Sequence, residues 1–161
     1  MVVVYPGSFD PITLGHIDII KRIAKKFTKV IILVAYNENK RTLFSVDSRI
    51  ELINDSLKEC QVIGNVETQK HNGLLVDFVK NNNCDFVVRG LRRANDFDIE
   101  YDMARLNKHI ASVETLLVAA DPKFTHIASS YVKEIARFGG DISGLVPNIV
   151  VNKMHEQFKK G

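Results

Sequence analysis

Cysteine is scarce in this chain. The 161 residues hold two, Cys60 and Cys84. Neither stands in a C-x-x-C pair, so no disulfide framework is suggested and a reducing cytoplasm is the expected compartment. Long apolar runs are also missing. None approaches the ~20 residues of a membrane span, and Val2-Val3-Val4 is far too short for the core of a signal peptide. A protein without a membrane partner is expected. Charge of one sign is not in excess: 22 Lys and Arg stand against 19 Asp and Glu, for a net charge of +3. That balance suits an anionic small molecule. A nucleic-acid partner is not expected, because a basic stripe with interleaved aromatic residues is absent. Internal repeats, low-complexity stretches and linkers are absent too. So are G-x-x-x-x-G-K-[ST] and G-x-G-x-x-G, which excludes a P-loop and the dinucleotide fingerprint. His71, His109, His126 and His155 show no metal-ligand spacing.

Short β-branched runs alternate with longer helical patterns. Val2 to Tyr5, Val30 to Ala35, Val62 to Thr68, Phe86 to Val88 and Leu116 to Ala119 read as strands. Helices are expected from Ile17 to Phe27, Val46 to Lys58, Leu74 to Lys80, Asp96 to Ile110 and Ser129 to Arg137. The last of these is stopped by Gly139-Gly140. Pro147 suits the first turn of a terminal helix ending near Lys159. The alternation predicts an α/β fold: one domain over residues 1–161, a Rossmann-like, doubly wound parallel sheet with helices on both faces. In such sheets ligands bind at the carboxyl ends of the strands. The loops at 6–16, 37–44, 89–95 and 121–129 therefore form the expected functional edge.

The first of these loops suits a phosphate. Gly7 and Ser8 follow the first strand, and Thr13-Leu14-Gly15-His16 opens the first helix. Helix N-termini present unpaired N–H groups and a partial positive charge. Gly7 and Gly15 allow close approach to the backbone. Ser8 offers a hydroxyl and His16 an imidazole N–H. The bland alternative is a turn with a capping Thr13. Further on, Arg89-Gly90-Leu91-Arg92 can grip phosphates in fork geometry, or can be a solvated basic turn. Ser129 and Ser130 at a helix start can be phosphate contacts or simple caps. Asp96, Asp98, Glu100 and Asp102 are spread around a helix, so they form no single metal cage. Three of the four read as a hydrated face.

The T-x-G-H element resembles the signature of the nucleotidyltransferase superfamily. The longer string Y-P-G-S-F-D-P-I-T-L-G-H-I-D, from Tyr5 to Asp18, resembles the opening of the phosphopantetheine adenylyltransferases. R-G-L-R from Arg89 resembles a hallmark of the same family, and the resemblance runs from Val3 to about Pro147. It implies transfer of AMP from ATP to the phosphate of 4'-phosphopantetheine, by direct in-line attack without a covalent intermediate. The phosphate nucleophile is already anionic, so positioning and charge stabilisation should suffice.

The resemblance also implies roles. His16 and Ser8 would contact the α-phosphate. Lys40, whose alternative is a solvated loop side chain, and Arg89 would orient the acceptor phosphate. Phe9, Gly90, Leu91, Arg92 and Glu100 would meet ATP. So would the segment Phe124, Thr125, His126, Ile127, Ala128, Ser129 and Ser130. That segment departs from the family's I-S-S-S or I-S-S-T pattern, with Ala128 in place of the first serine and Phe124-Thr125-His126 before it. Leu74 and Leu75 would line the pantetheine pocket, or serve as core, and Asn107 would lie near the pantetheine arm. Magnesium would be held mainly through ATP phosphates, coenzyme A is a possible feedback ligand, and a homohexamer of two stacked trimers is implied. The alternatives are a nucleotidyltransferase for nicotinate mononucleotide or a polyol phosphate, and a non-catalytic nucleotide-binding module of flavodoxin type. The R-G-L-R element and the Lys40 loop argue against the first, and Gly15-His16 against the second.

Overall fold

A computed structural model describes residues 1–36, 41–62 and 64–159. Five strands form one sheet: β1 (Val2–Gly7), β2 (Lys29–Ala35), β3 (Val66–His71), β4 (Phe86–Leu91) and β5 (Glu114–Ala119). Their order is β3-β2-β1-β4-β5, and every pairing is parallel. The helices are α1 (Leu14–Ala24), α2 (Val46–Glu59), α3 (Leu75–Asn81), α4 (Ala94–Ala111), α5 (Ser129–Arg137) and α6 (Asn148–Lys159).

The central strands are apolar on both sides because both faces are covered. On one face, Val3, Val30, Ile32, Val34 and Val88 pack with Ile17, Ile20, Ile53, Val132, Ile142 and Met154. On the other, Val4, Ile31, Leu33 and Val87 pack with Val76, Phe78, Val79 and Val113. Each such side chain, taken fully out of water, contributes about 1.5–3 kcal/mol.

The doubly wound architecture expected from the alternation is observed. Its order reverses between β1 and β4, so a crevice opens at their carboxyl ends. Several boundaries differ from the sequence reading. β3 begins at Val66, because Gln61 turns the chain (φ 56°) and the Val62 N–H bonds back to the Leu57 carbonyl at 2.8 Å. Val62 thus caps the end of α2 from just beyond it, and its apolar side chain packs on the core from there. β4 runs on through Arg89-Gly90-Leu91, which pair with Leu117, Val118 and Ala119. The arginine-glycine element is therefore largely strand. Pro147 stands just before α6 and accepts from the Val150 and Val151 N–H groups at 3.0 and 3.1 Å.

Candidate active site

The loop between β1 and α1 is held by buried polar groups. Phe9 takes a left-handed backbone (φ 45°), rare for an aromatic residue. Its ring crowds position 7: a Cβ on Gly7 would stand 3.0 Å from it, so the ring would have to give by a few tenths of an ångström. Asp10, 3% exposed, accepts from the Leu43 N–H at 2.9 Å, the Phe44 N–H at 3.0 Å and Lys133 Nζ at 2.9 Å. Arg49, 2% exposed, donates from Nη1 to the Ser8 carbonyl at 2.8 Å. These contacts tie the loop to the start of α2 and to α5.

Thr13 caps α1, and His16 stands three residues on. The Thr13 N–H donates to His16 Nδ1 at 3.0 Å, and the Thr13 hydroxyl accepts from the His16 N–H at 3.4 Å. This is a capping box with histidine where Glu or Gln is the recognised residue, so the pattern was not legible as one. Because Nδ1 accepts, the neutral ring carries its proton on Nε2. Burial, then the charges of Arg92 and Arg89, lower the imidazole pKa to about 4. His16 is thus a neutral N–H donor near neutral pH.

The His16 ring lines a cavity of about 250 Å³ over the β1/β4 crevice, with Ser8, Phe9, Arg89, Gly90, Arg92, Glu100, Phe124, Ile127, Ala128 and Ser129. Tyr5, Thr13 and Asp96 share the wall, although the sequence reading had Thr13 as a cap and Asp96 in an acidic series with no ligand role. A Cβ at Gly90 would overlap Ile19 Cδ1, so the end of that side chain would have to shift. Arg92 donates its backbone N–H and Nε to Asp96 at 2.9 and 3.3 Å, and Nη1 to the Ile127 carbonyl at 3.3 Å. Burial opposes ionisation of Asp96, but Arg92 outweighs it and holds the carboxyl below its usual range. Arg89 grips Glu100 through Nε and Nη2, both at 2.6 Å, and the Pro6 carbonyl through Nη1 at 2.9 Å. A guanidinium has five N–H hydrogens, so two remain for a ligand.

The α5 start closes the cavity. Ala128 at its cap offers no side-chain oxygen, so the first turn has no side-chain cap. An anion can take that place. The Ser129 hydroxyl is already given to the Pro11 carbonyl at 2.8 Å, which leaves its backbone N–H as the donor toward a ligand. Thr125, His126, Ala128 and Ser130 line an adjoining cavity of about 240 Å³ with Arg92 and Arg93. A third cavity, about 110 Å³, is walled by Leu75, Arg89, Glu100, Met103, Ala104, Asn107 and Thr115. Leu74 is 63% exposed at the cap of α3, away from that wall. Leu91 ends β4 and lines none of these three cavities. Lys40 lies outside the described residues.

No group of three His, Cys, Asp or Glu able to hold a metal occurs among the described residues. The two cavity carboxylates, Asp96 and Glu100, are bonded to Arg92 and Arg89. The site as a whole is a set of fixed N–H donors and two arginines around a nucleotide-sized space.

Residues 4–135 match the cytidylyltransferase-like family model. Among solved structures, a nicotinic acid mononucleotide adenylyltransferase of Plasmodium falciparum superposes with a TM-score of 0.74. It is 14% identical, and the match covers 96% of this chain and 94% of that one. A lipopolysaccharide core biosynthesis protein of Thermoplasma volcanium superposes with a TM-score of 0.53 at 22% identity, over 75% of this chain and 96% of that one. These two likenesses concern the fold alone. The sequence relatives are much nearer. The phosphopantetheine adenylyltransferase of Caldanaerobacter subterraneus is 49% identical over 99% of this chain and 98% of its own. That of Dictyoglomus turgidum is 48% identical over 97% and 96%, and that of Frankia casuarinae 46% identical over 94% of each. With the T-x-G-H box and the R-G-L-R strand end both built into the crevice, this chain belongs to the phosphopantetheine adenylyltransferase family.

Proposed function

We propose that this protein transfers the adenylyl group of ATP to the phosphate of 4'-phosphopantetheine, giving dephospho-coenzyme A and pyrophosphate. Near-full-length identity of 49% to a relative of that name supports the activity. The observation that carries the chemistry is the His16 ring, held through Nδ1 by the Thr13 N–H and lining one crevice with Arg89 and Arg92. The acceptor phosphate oxygen attacks the α-phosphorus of ATP, the bond to the bridging oxygen breaks, and pyrophosphate leaves opposite. No covalent intermediate on the protein is needed, because the nucleophile is already an anion. His16 and Ser8 meet the α-phosphate as charge builds on it. Lys40 and Arg89 orient the acceptor phosphate. Phe9, Gly90, Arg92, Glu100 and the segment 124–130 hold ATP. Leu75 and Asn107 receive the pantetheine arm. ATP enters as its magnesium complex, the ion being held by phosphate oxygens.

Phe97, Ile99, Tyr101, Leu106 and Ile110 of α4 and Phe138 after α5 leave large apolar side chains on the surface. Such surface marks an interface, and it supports a homohexamer of two stacked trimers. Coenzyme A carries the same arm as the acceptor and serves as the feedback ligand. A cytoplasmic location goes with this reading, because the cofactor would be made there from ATP. No helix of the described residues is long and apolar enough to cross a membrane.

Direct in-line attack makes a stereochemical prediction. With ATP made chiral at the α-phosphorus by one sulfur, the product's configuration is expected to be inverted, as read by ³¹P NMR. Retention would require two displacements and a covalent enzyme intermediate.

A further inference from the structure

The first turn of α1 is tied to the far end of the chain. The Leu14 N–H, the first of that helix, donates to the Leu145 carbonyl at 3.0 Å. A helix start leaves such an N–H without an intrahelical acceptor. The donors that follow are used locally. The His16 N–H goes to the Thr13 hydroxyl, and the Ile17 N–H goes to the Thr13 carbonyl at 3.1 Å. The Leu145 bond therefore runs from the T-x-G-H box to the connection between α5 and α6.

That connection is built to keep its shape. Ile142 and Val146 are buried in the core. Between them the chain turns at Gly144, whose backbone is left-handed (φ 75°), and the Leu145 N–H donates to the Ile142 carbonyl at 3.1 Å. The Ser143 N–H donates to Asp141 Oδ1 at 2.8 Å. Further on, both oxygens of the Glu59 carboxylate accept from the start of α6, from the Asn148 N–H at 2.8 Å and the Ile149 N–H at 2.9 Å. Val150 and Met154 seat that helix in the core. The Leu145 carbonyl is thus a fixed acceptor. Leu14 follows Thr13, whose N–H holds His16 Nδ1, so the turn that aims the imidazole is anchored by this bond.

We propose that Leu145 is a positioning residue for the reaction: its carbonyl holds the start of α1 where the His16 ring meets the α-phosphate. This rests on the proposed adenylyl transfer. Replacing Leu14 by its α-hydroxy acid, through nonsense suppression, turns one amide into an ester and deletes that N–H while keeping the side chain. With the donor misaimed, kcat should fall about tenfold, short of the roughly 10²–10³-fold expected for losing the donor itself. KM for ATP and for 4'-phosphopantetheine should stay at wild-type values. Gly144→Ala tests the acceptor's side. Gly139, just after α5, has the same φ of 75°, and a Cβ at either glycine meets nothing within 4 Å. Gly139→Ala therefore carries the same backbone strain away from Leu145. Gly144→Ala should lower kcat and Gly139→Ala should not, a difference that a merely structural role would not produce. In the free protein, ¹⁵N NMR of the imidazole should show one tautomer, protonated on Nε2, in wild type and a mixture in the ester protein. Wild-type kcat in the ester protein overturns the assignment, as does an equal loss of kcat in the two glycine variants. An unaltered ring spectrum in the ester protein overturns it too, and that readout needs no turnover. Failure of the wild-type protein to adenylylate 4'-phosphopantetheine would instead overturn the function on which the assignment rests.

Discussion

His16→Ala is expected to lower kcat by about 10²–10³-fold, the usual effect of deleting one preorganised donor to a transition-state oxyanion. Binding of ATP should change far less. The substitution removes a group that donates to a phosphate oxygen as its charge grows, not one that holds the ground state. The geometry explains why the donor is ready. Nδ1 is occupied by the Thr13 N–H, so the ring needs neither to rotate nor to change tautomer. Burial and the two arginines keep it neutral, with a pKa of about 4 against the ordinary 6.5. An imidazole NMR titration of the free protein should therefore show no protonation of His16 above about pH 5. The linkage follows from the sign. A depressed imidazole pKa contributes folding stability that is present above 6.5 and is lost as pH falls toward about 4. A His16→Ala protein with wild-type turnover, or a His16 midpoint near 6.5, contradicts this role.

Asp10→Ala should cost about 3 kcal/mol of folding stability and lower Tm by roughly 6–12 °C. Asp10 is almost wholly buried and satisfies three donors at once. Truncation strands the Leu43 and Phe44 N–H groups and removes the carboxylate from the neighbourhood of Lys133 and Arg49. Arg49 is sensitive to this, since burial already lowers its pKa and Asp10 opposes that shift. Its Nε has no partner among the described residues. Asp10→Asn keeps an acceptor oxygen but turns an amide toward backbone N–H groups, so an intermediate Tm is expected. Thermal unfolding followed by circular dichroism reads both variants. A Tm for Asp10→Ala within 1–2 °C of wild type, well below the shift of even one lost buried hydrogen bond, would show that the network does not hold the loop.

Legibility in the sequence followed the strength of local patterns. Val2 to Tyr5 and Val30 to Ala35 are continuous apolar runs, as strands covered on both faces must be, and they fall inside β1 and β2. The alternation of strands and helices was enough for the doubly wound fold, and the fold put the crevice where the first loop had been read as a phosphate site. Two strand edges were misplaced because their signals are not local. Val62 is β-branched, yet it closes α2 by a bond to Leu57. Arg89-Gly90-Leu91 breaks the apolar run but is held in β4 by β5. The supports of the site were the least visible part. Asp10 and Arg49 act through partners 33 to 123 positions away, and no spacing announces such pairs. The face of α4 toward the third cavity was hard to read because acidic Glu100 and the amide of Asn107 flank Met103 and Ala104 there. Ala128, by contrast, gains a plain physical meaning: without a side-chain oxygen it leaves the α5 N-terminus open to an anion.

The most direct test is pyrophosphate release from ATP and magnesium, measured with no acceptor, with 4'-phosphopantetheine and with nicotinate mononucleotide. The account predicts release with 4'-phosphopantetheine alone, matched mole for mole by dephospho-coenzyme A. Release with nicotinate mononucleotide alone would keep the superfamily's chemistry and contradict the acceptor, and no release with either, from folded protein that binds ATP, would contradict adenylyl transfer itself.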